Sequence, residues 1–289
     1  LSPETAARRG AELCAIAEKA KLDDAAPPVY VIGTEVPVPG GAVGEEKAPE
    51  VTDVNALVDT IELTRAAFRD RGLEAAWERV IAVVVQPGVE FGHDTVYPYD
   101  RKKASALMLA VKRYPGLVVE GHSTDYQLPE HLQQMVEDGI AILKVGPALT
   151  FAFREALFLL SCLEDEQVRA GAVEIPATLP TVLERTLREQ PVYWKDYYPT
   201  DPRGLSTYLR YSLSDRCRYY WPDPHVESAR RALMFNLEMA WPPFSELRQF
   251  FSRQCEKVRR GLLANDAASF VRDHIQETLR TYPGFTRLC

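Results

Sequence analysis

Polar residues whose chemistry suits acid–base catalysis, metal binding or anion binding follow four short apolar runs in the first half of the chain. The runs lie at 29–32, 80–85, 117–119 and 140–143, and the residues that follow them are Glu35, Gln86, Glu120 or His122, and Lys144, in that order. A carboxylate or an imidazole can ligate a metal or carry a proton, and a lysine can neutralise a phosphate or form a Schiff base. We therefore treat these four positions as candidate site residues.

Small, hydroxyl-bearing and acidic residues accompany them. They are Gly121, Ser123, Thr124, Asp125 and Gly146. Glycine allows backbone N–H groups to approach an anion closely, and hydroxyl groups can donate to phosphate oxygens. Together with Gln86, this set predicts a sugar-phosphate binding site.

The metal-ligating and catalytic roles leave alternatives. Glu35 is a candidate metal ligand and a candidate proton acceptor, or else a solvated loop residue. His122 is the strongest candidate metal ligand, because metal-binding and catalytic groups concentrate in loops that follow such strands, or else it is a histidine that is hydrogen-bonded within a tight loop. His93 could complete the site, but its distance beyond the second run also fits an ordinary loop residue. Lys144 is a candidate catalytic group or the partner of a carboxylate or phosphate.

The elements that must position these residues alternate along the chain. Runs that are apolar at every position suit strands buried on both faces of a parallel sheet. Helical patterns surround them at 5–20, 54–71, 102–114 and 129–138. Strands that alternate with helices predict βαβ units, which build a doubly wound sheet or a (β/α)₈ barrel.

The pattern changes after residue 148. Helices are predicted at 149–163, 178–189, 225–239, 245–263 and 266–282, with a packed irregular connection at 193–224 and no clear strand after 167. A complete (β/α)₈ barrel takes about 250 residues, whereas only four strands are predicted here. We expect the C-terminal half of a TIM-type barrel at 1–160, followed by a helical extension at 161–289.

Composition excludes several classes of protein. The chain has 34 basic and 41 acidic residues and a net charge of −7, which argues against broad binding to nucleic acid or to an anionic membrane. The apolar runs are too short to span a bilayer. Five widely spaced cysteines without a CxxC motif fit reduced thiols in the cytoplasm. No P-loop, GxGxxG, HExxH or GxSxG motif is present, which disfavours nucleotide kinases and classical dehydrogenases.

Five segments of the sequence resemble one family. They are YVIGTEVPVPGG at 30–41, VVQPGVEF at 84–91, EGHSTDYQ at 120–127, LKVGPALTFA at 143–152 and YSLSDRCRYYWP at 211–222. The family is the accessory, Z-type subunit of D-tagatose-1,6-bisphosphate aldolase, and the resemblance covers essentially the whole chain. Some of its members carry the name tagatose 6-phosphate kinase, which the missing nucleotide-binding motif does not support.

The resemblance implies a (β/α)₈ barrel of the class II aldolase type, of which this chain would hold about the last four βα units. Members have a further N-terminal part with an Asp-His pair, and we expect the present sequence to begin after it. Class II aldolases hold zinc with three histidines. In this chain His122 matches one of these histidines well and His93 is a weaker match. The resemblance therefore implies that zinc is bound either by this chain or only by the catalytic partner.

The resemblance also implies a function. Members are regarded as non-catalytic partners that support a separate catalytic aldolase subunit in the breakdown of galactitol or N-acetylgalactosamine. Two alternatives remain open: a metal-dependent sugar-phosphate aldolase in its own right, and a sugar-phosphate binding module without chemistry. The expected partners are the catalytic subunit and a sugar phosphate, with a second copy of the chain as a further candidate.

Overall fold

A computed structural model of the chain describes residues 2–21, 26–33, 49–199 and 201–284, without the side chains of 202 and 203. The chain divides into two compact units. The sheet unit comprises Leu1–Phe91 and Thr95–Val145, and the helical unit comprises Gly92–Asp94 and Gly146–Cys289. The division therefore falls after Val145, whereas the boundary expected at 160/161 lies inside one continuous helix, Pro147–Arg169.

The sheet unit alternates strands and helices as predicted. Its elements are α1 (Pro3–Ala20), β1 (Tyr30–Ile32), α2 (Val54–Arg69), α3 (Glu74–Trp77), β2 (Val80–Val85), β3 (Glu90–Phe91), β4 (Val96–Tyr97), α4 (Arg101–Val111), β5 (Val118–Gly121), α5 (Pro129–Asp138) and β6 (Ile140–Leu143). Strands β1, β2, β5 and β6 form a parallel sheet in that order, which confirms the four predicted strands. The short antiparallel pair β3–β4 was not predicted.

Local sequence signals explain where the helices begin and end. The Ser2 hydroxyl accepts from the backbone N–H of Thr5 at 3.3 Å, as its position before a first-turn proline predicts. Asp100 caps α4 in the same way, accepting from the N–H of Lys102 at 2.9 Å. Gly139 ends α5 with a φ of 106°, a left-handed conformation that suits glycine, and the chain then enters β6 directly.

The two faces of the parallel sheet differ in burial. Ile32, Val83 and Val119 lie side by side in register and are buried on one face. The other face is only partly covered: Val84 and Ile142 are half-buried and Val31 is 42% exposed, although Ala82 and Glu120 on the same face are buried. Because paired residues of parallel strands point the same way, this partly open face continues towards the residues that follow the strands.

The helical unit contains no strand among its described residues, in agreement with the sequence pattern. Its elements are α6 (Pro147–Arg169), α7 (Leu179–Glu189), a 3₁₀ turn (Pro191–Tyr193), α8 (Pro202–Tyr211), a second 3₁₀ turn (Arg216–Tyr220), α9 (Pro224–Met239), α10 (Phe244–Phe250), α11 (Ser252–Arg259) and α12 (Ala267–Arg280). None of the helices described in either unit is long and apolar enough to cross a membrane.

Two predictions for this unit were wrong. The segment 193–224 is not wholly irregular, because α8 begins after Asp201, whose carboxylate accepts from the N–H of Gly204 at 2.8 Å. The helix predicted at 245–263 is two helices that meet at Phe251, whose φ of −126° and ψ of 53° are not helical. The Phe251 ring is buried and lies 5.3 Å from the ring of Phe270, so core packing outweighs helix continuation at this point.

A buried ion pair lies within the core of the helical unit. The Nε of Arg154 on α6 donates to Asp215 Oδ1 at 2.9 Å, and their side chains are 2% and 0% exposed. The guanidinium carbon of Arg154 lies 4.2 Å from the ring centroid of Phe151. The Sγ of Cys217 donates to the same carboxylate oxygen at 3.2 Å. Asp215 thus joins α6 to the turn that follows α8.

Candidate functional site

The candidate site begins with Glu120 near the end of β5. Its register partners are Val84 on β2 and Ile142 on β6, so the three side chains lie in one row on the partly open face of the sheet. Glu120 is buried, although a carboxylate is costly to bury without partners. His122 and Lys144 lie two residues beyond Glu120 and Ile142 and supply those partners.

The structure brings His122 and Lys144 together around this carboxylate. The Nε2 of His122 lies 2.7 Å from Glu120 Oε1, and the Lys144 Nζ lies 3.5 Å from the same oxygen. When the imidazole is neutral, Nε2 carries the proton that Glu120 accepts, and Nδ1 presents a lone pair. The Lys144 side chain is 54% exposed and can meet an anion. The arrangement can therefore bind a phosphate and move a proton.

The loop after β5 is held by its own hydrogen bonds. The Thr124 hydroxyl donates to the backbone carbonyl of Lys144 at 2.7 Å, and Thr124 and Asp125 are buried. Ser123 is half-buried, with a φ of 53° in the left-handed region that few non-glycine residues adopt. At Gly121, a Cβ atom would lie 3.0 Å from Ile140 Cγ2, so this glycine permits close packing. The loop thus fixes the carbonyl of Lys144 relative to β5.

Gln86 and Gly146, the other predicted substrate-binding residues, also have local structural roles. The Oε1 of Gln86 accepts from the backbone N–H groups of Gly88 at 2.8 Å and Val89 at 3.0 Å, and so closes the turn after β2. Gly146 occupies the position before the first residue of α6 and belongs to the helical unit.

A second buried carboxyl group, Glu90 on β3, belongs to the sheet unit. Burial raises its pKa, and repulsion from Asp125 adds to this, while hydrogen bonds from Phe91 and Ser123 act in the opposite direction. The Phe91 N–H donates to its Oε1 at 3.0 Å. A carboxyl group with a raised pKa next to a predicted site loop is a candidate proton donor.

His93 belongs to the helical unit, whereas His122 belongs to the sheet unit. The Nδ1 of His93 lies 3.2 Å from the Ser212 hydroxyl, and its Nε2 lies 3.0 Å from the backbone carbonyl of Tyr197. A carbonyl can only accept, so Nε2 carries a proton. Both ring nitrogens therefore have protein partners in this structure.

The described donor atoms do not complete a zinc site. Among residues 2–21, 26–33, 49–199 and 201–284, no group of three or more His, Cys, Asp or Glu side chains could hold a metal ion. His122 and Glu120 bond to each other, and two such groups fall short of the ligand set that zinc takes. Glu35, the other predicted ligand and proton acceptor, lies outside the described residues. The described groups offer ionic and acid–base chemistry.

Comparison with known proteins identifies the family. Residues 1–286 match the model of the family described as D-tagatose-1,6-bisphosphate aldolase subunit GatZ/KbaZ-like. The chain belongs to the GatZ/KbaZ-like family. It is also similar to a crystal structure described as a probable tagatose 6 phosphate kinase from Sinorhizobium meliloti 1021, with 39% sequence identity and a TM-score of 0.84. The match covers 98% of this chain and 67% of that chain.

The resemblance predicted from the sequence is thus confirmed. At the site of this GatZ/KbaZ-like chain, Glu120 was predicted only as an alternative to His122, and Glu90 was not predicted. Glu120 lies at the end of an apolar run two residues before His122, a spacing that places both on one face of a strand and could have indicated the pair. Glu90 gives no comparable signal, because its burial depends on the tertiary fold.

Proposed function

We propose that this chain is the accessory subunit of a D-tagatose-1,6-bisphosphate aldolase and that it supports the activity and stability of a separate catalytic subunit. The pathway would be the breakdown of galactitol or N-acetylgalactosamine through tagatose 6-phosphate. The family match over residues 1–286 carries this proposal. Three free cysteines, Cys14, Cys217 and Cys255, are buried, which supports a reducing, cytoplasmic location.

The proposal includes a sugar-phosphate site at Lys144 and His122. The Lys144 ammonium group is exposed and lies beside only one described carboxylate, at 3.5 Å, so it can pair with a phosphate. His122 is held by Glu120 and can accept a hydrogen bond from a sugar hydroxyl through Nδ1. Because Glu120 contacts both residues, it acts as the positioning residue of the site.

The fold proposed for the assembled protein is a (β/α)₈ barrel of the class II aldolase type. The four parallel strands lie side by side in the same order as in the sequence, β1-β2-β5-β6. This order supports a barrel, because the strands of a barrel follow one another around it without a reversal. The partly open face with Val31, Val84 and Ile142 would become the barrel interior. The placement of Glu120 on that face agrees with a site at the carboxyl ends of the strands.

Co-expression with a catalytic subunit of the family's aldolase tests the function. The catalytic subunit is assayed for cleavage of D-tagatose 1,6-bisphosphate and for its inactivation half-life, with and without this chain. We expect higher activity or a longer half-life with the chain present and no cleavage by the chain alone. Unchanged partner activity and half-life, or turnover by the chain alone, would contradict the proposal.

A matched pair of variants then tests the site. Lys144→Met removes the charge at the site, and Lys102→Met removes an exposed charge elsewhere on the sheet unit. Calorimetry measures the binding of tagatose 6-phosphate to both variants, and we expect the binding to weaken only in Lys144→Met. Equal binding by both variants would show that the phosphate binds elsewhere.

A further inference from the structure

The helical unit contains a cavity of about 460 Å³ that has no role in the proposed function. It lies among α6, α7 and α8, and its wall includes Phe158, Leu159, Pro180 and Tyr211. Apolar and aromatic walls with a few polar groups are typical of small-molecule sites. The volume is large enough for a ligand the size of a substituted benzene ring.

A cation stands against the aromatic wall of this cavity. The guanidinium carbon of Arg210 lies 5.3 Å from the ring centroid of Tyr211 and 5.7 Å from that of Phe158. Its ion-pair partner, Glu184, is 4.0 Å away and is bound more closely by Arg188 at 2.7 Å. Because one carboxylate serves two guanidinium groups, Arg210 retains positive charge that a ligand anion can neutralise.

One residue of the cavity lining has a buried hydroxyl group. Ser161 on α6 is 6% exposed, and its Oγ has no hydrogen-bond partner among the described residues. The Nε of Arg210 is likewise buried without an acceptor in that part of the chain. Buried polar groups in native proteins nearly always have partners, so an unpaired hydroxyl group and an unpaired N–H group in one cavity call for an explanation.

The acidic residues of the lining restrict the charge of the ligand. Glu155 pairs with His274 at 2.7 Å, and Glu164 accepts from the backbone N–H of Ala177 at 3.1 Å. Asp165 is exposed at the same cavity. The charge of Arg154 is balanced by Asp215 (Overall fold), which leaves Arg210 as the cation for the ligand. A dianion such as a phosphate monoester would be repelled by these carboxylates more strongly than a ligand with a single carboxylate.

We infer that this cavity binds a small organic monocarboxylate with an aromatic body. Its carboxylate accepts from Arg210 and Ser161, and its ring packs against Phe158 and Tyr211. The site lies wholly within the helical unit, and none of its lining residues belongs to the sugar-phosphate site at Lys144.

Fluorine NMR of 4-fluorobenzoate with the full chain tests the inference. We expect saturable binding with a Kd of about 1 mM or tighter, and weaker binding of the neutral analogue 4-fluorobenzamide. Arg210→Met should weaken 4-fluorobenzoate binding at least about tenfold, or about 1.4 kcal/mol. The matched control Arg231→Met removes a guanidinium group that is 75% exposed on α9 and should leave the affinity unchanged.

A second variant and a competitor complete the test. Thr181→Phe places a ring at the exposed edge of the cavity, and we expect it to block binding while the circular dichroism spectrum stays that of the parent. Excess tagatose 6-phosphate should not displace the probe. The inference is overturned if the probe does not saturate, if folded Thr181→Phe binds it unchanged, if 4-fluorobenzamide binds as tightly as 4-fluorobenzoate, or if the sugar phosphate competes.

Discussion

Replacing Asp215 with alanine should destabilise the helical unit severely. The change leaves the Arg154 guanidinium, whose side chain is 2% exposed, without the carboxylate that now lies 2.9 Å from its Nε. Breaking a buried ion pair by removing one partner costs about 3–5 kcal/mol, because the remaining charge stays buried after its partner is lost. Since a domain has a total stability of about 5–15 kcal/mol, this loss is a large fraction of the whole.

Tryptophan fluorescence during urea unfolding measures this loss of stability in the helical unit. Three of the four tryptophans, Trp194, Trp221 and Trp241, belong to the helical unit, and Trp77→Phe removes the remaining signal. In the Trp77→Phe background we expect Asp215→Ala to unfold at a much lower urea midpoint than the parent. The control Glu256→Ala removes an exposed pair with Arg260 and should cost less than about 0.5 kcal/mol.

A double-mutant cycle separates the two causes of destabilisation. Arg154→Met combined with Asp215→Ala removes the buried charge as well as its partner, so much of the stability should return. A loss below about 1 kcal/mol in Asp215→Ala, or a double variant no more stable than that single variant, would refute the reasoning.

Three further predictions concern the sheet unit. Glu120→Gln should weaken tagatose 6-phosphate binding about 10-fold or more although the charge of Lys144 is retained, because His122 and Lys144 lose the carboxylate that holds them; calorimetry that finds parental affinity would contradict this. Gly121→Ala should lower the free energy of unfolding by about 1–3 kcal/mol, because the new Cβ would lie 3.0 Å from Ile140 Cγ2; denaturant unfolding checks this, and an unchanged midpoint would refute it. The folded-state pKa of Glu90 is raised, so the contribution of Glu90 to stability falls as pH rises above the ordinary glutamate range. The stability of Glu90→Gln relative to the parent should therefore increase from pH 4 to pH 8, and a difference between the two that does not depend on pH would contradict this prediction.

The order of strands and helices in the sheet unit could be predicted because its physical cause is local. Runs that are apolar at every position, such as 80–85, suit the inner strands of a parallel sheet, and capping residues mark the helices between them. The break at Phe251 could not be predicted in this way. Residues on both sides of it favour a helix, and the backbone leaves the helical conformation where the Phe251 ring packs on Phe270.

The candidate site was predictable where it depends on strand order. His122 and Lys144 follow adjacent strands, so their meeting follows from the sheet itself. The bonds that occupy Thr124 and both ring nitrogens of His93 could not be predicted, because their partners lie 20 or more residues away in the sequence.

The tripeptide Gly92–Asp94 has a practical consequence for anyone who divides this chain into fragments. It stands between two strands of the sheet unit, yet its backbone and imidazole bond to Leu213, Ser212 and Tyr197. In a fragment that ends at Val145, this tripeptide would lack those partners. A fragment that starts at Gly146 would lack the His93 imidazole that its aromatic residues surround. No single cut yields both pieces intact, so the halves are better studied by point substitution in the undivided polypeptide.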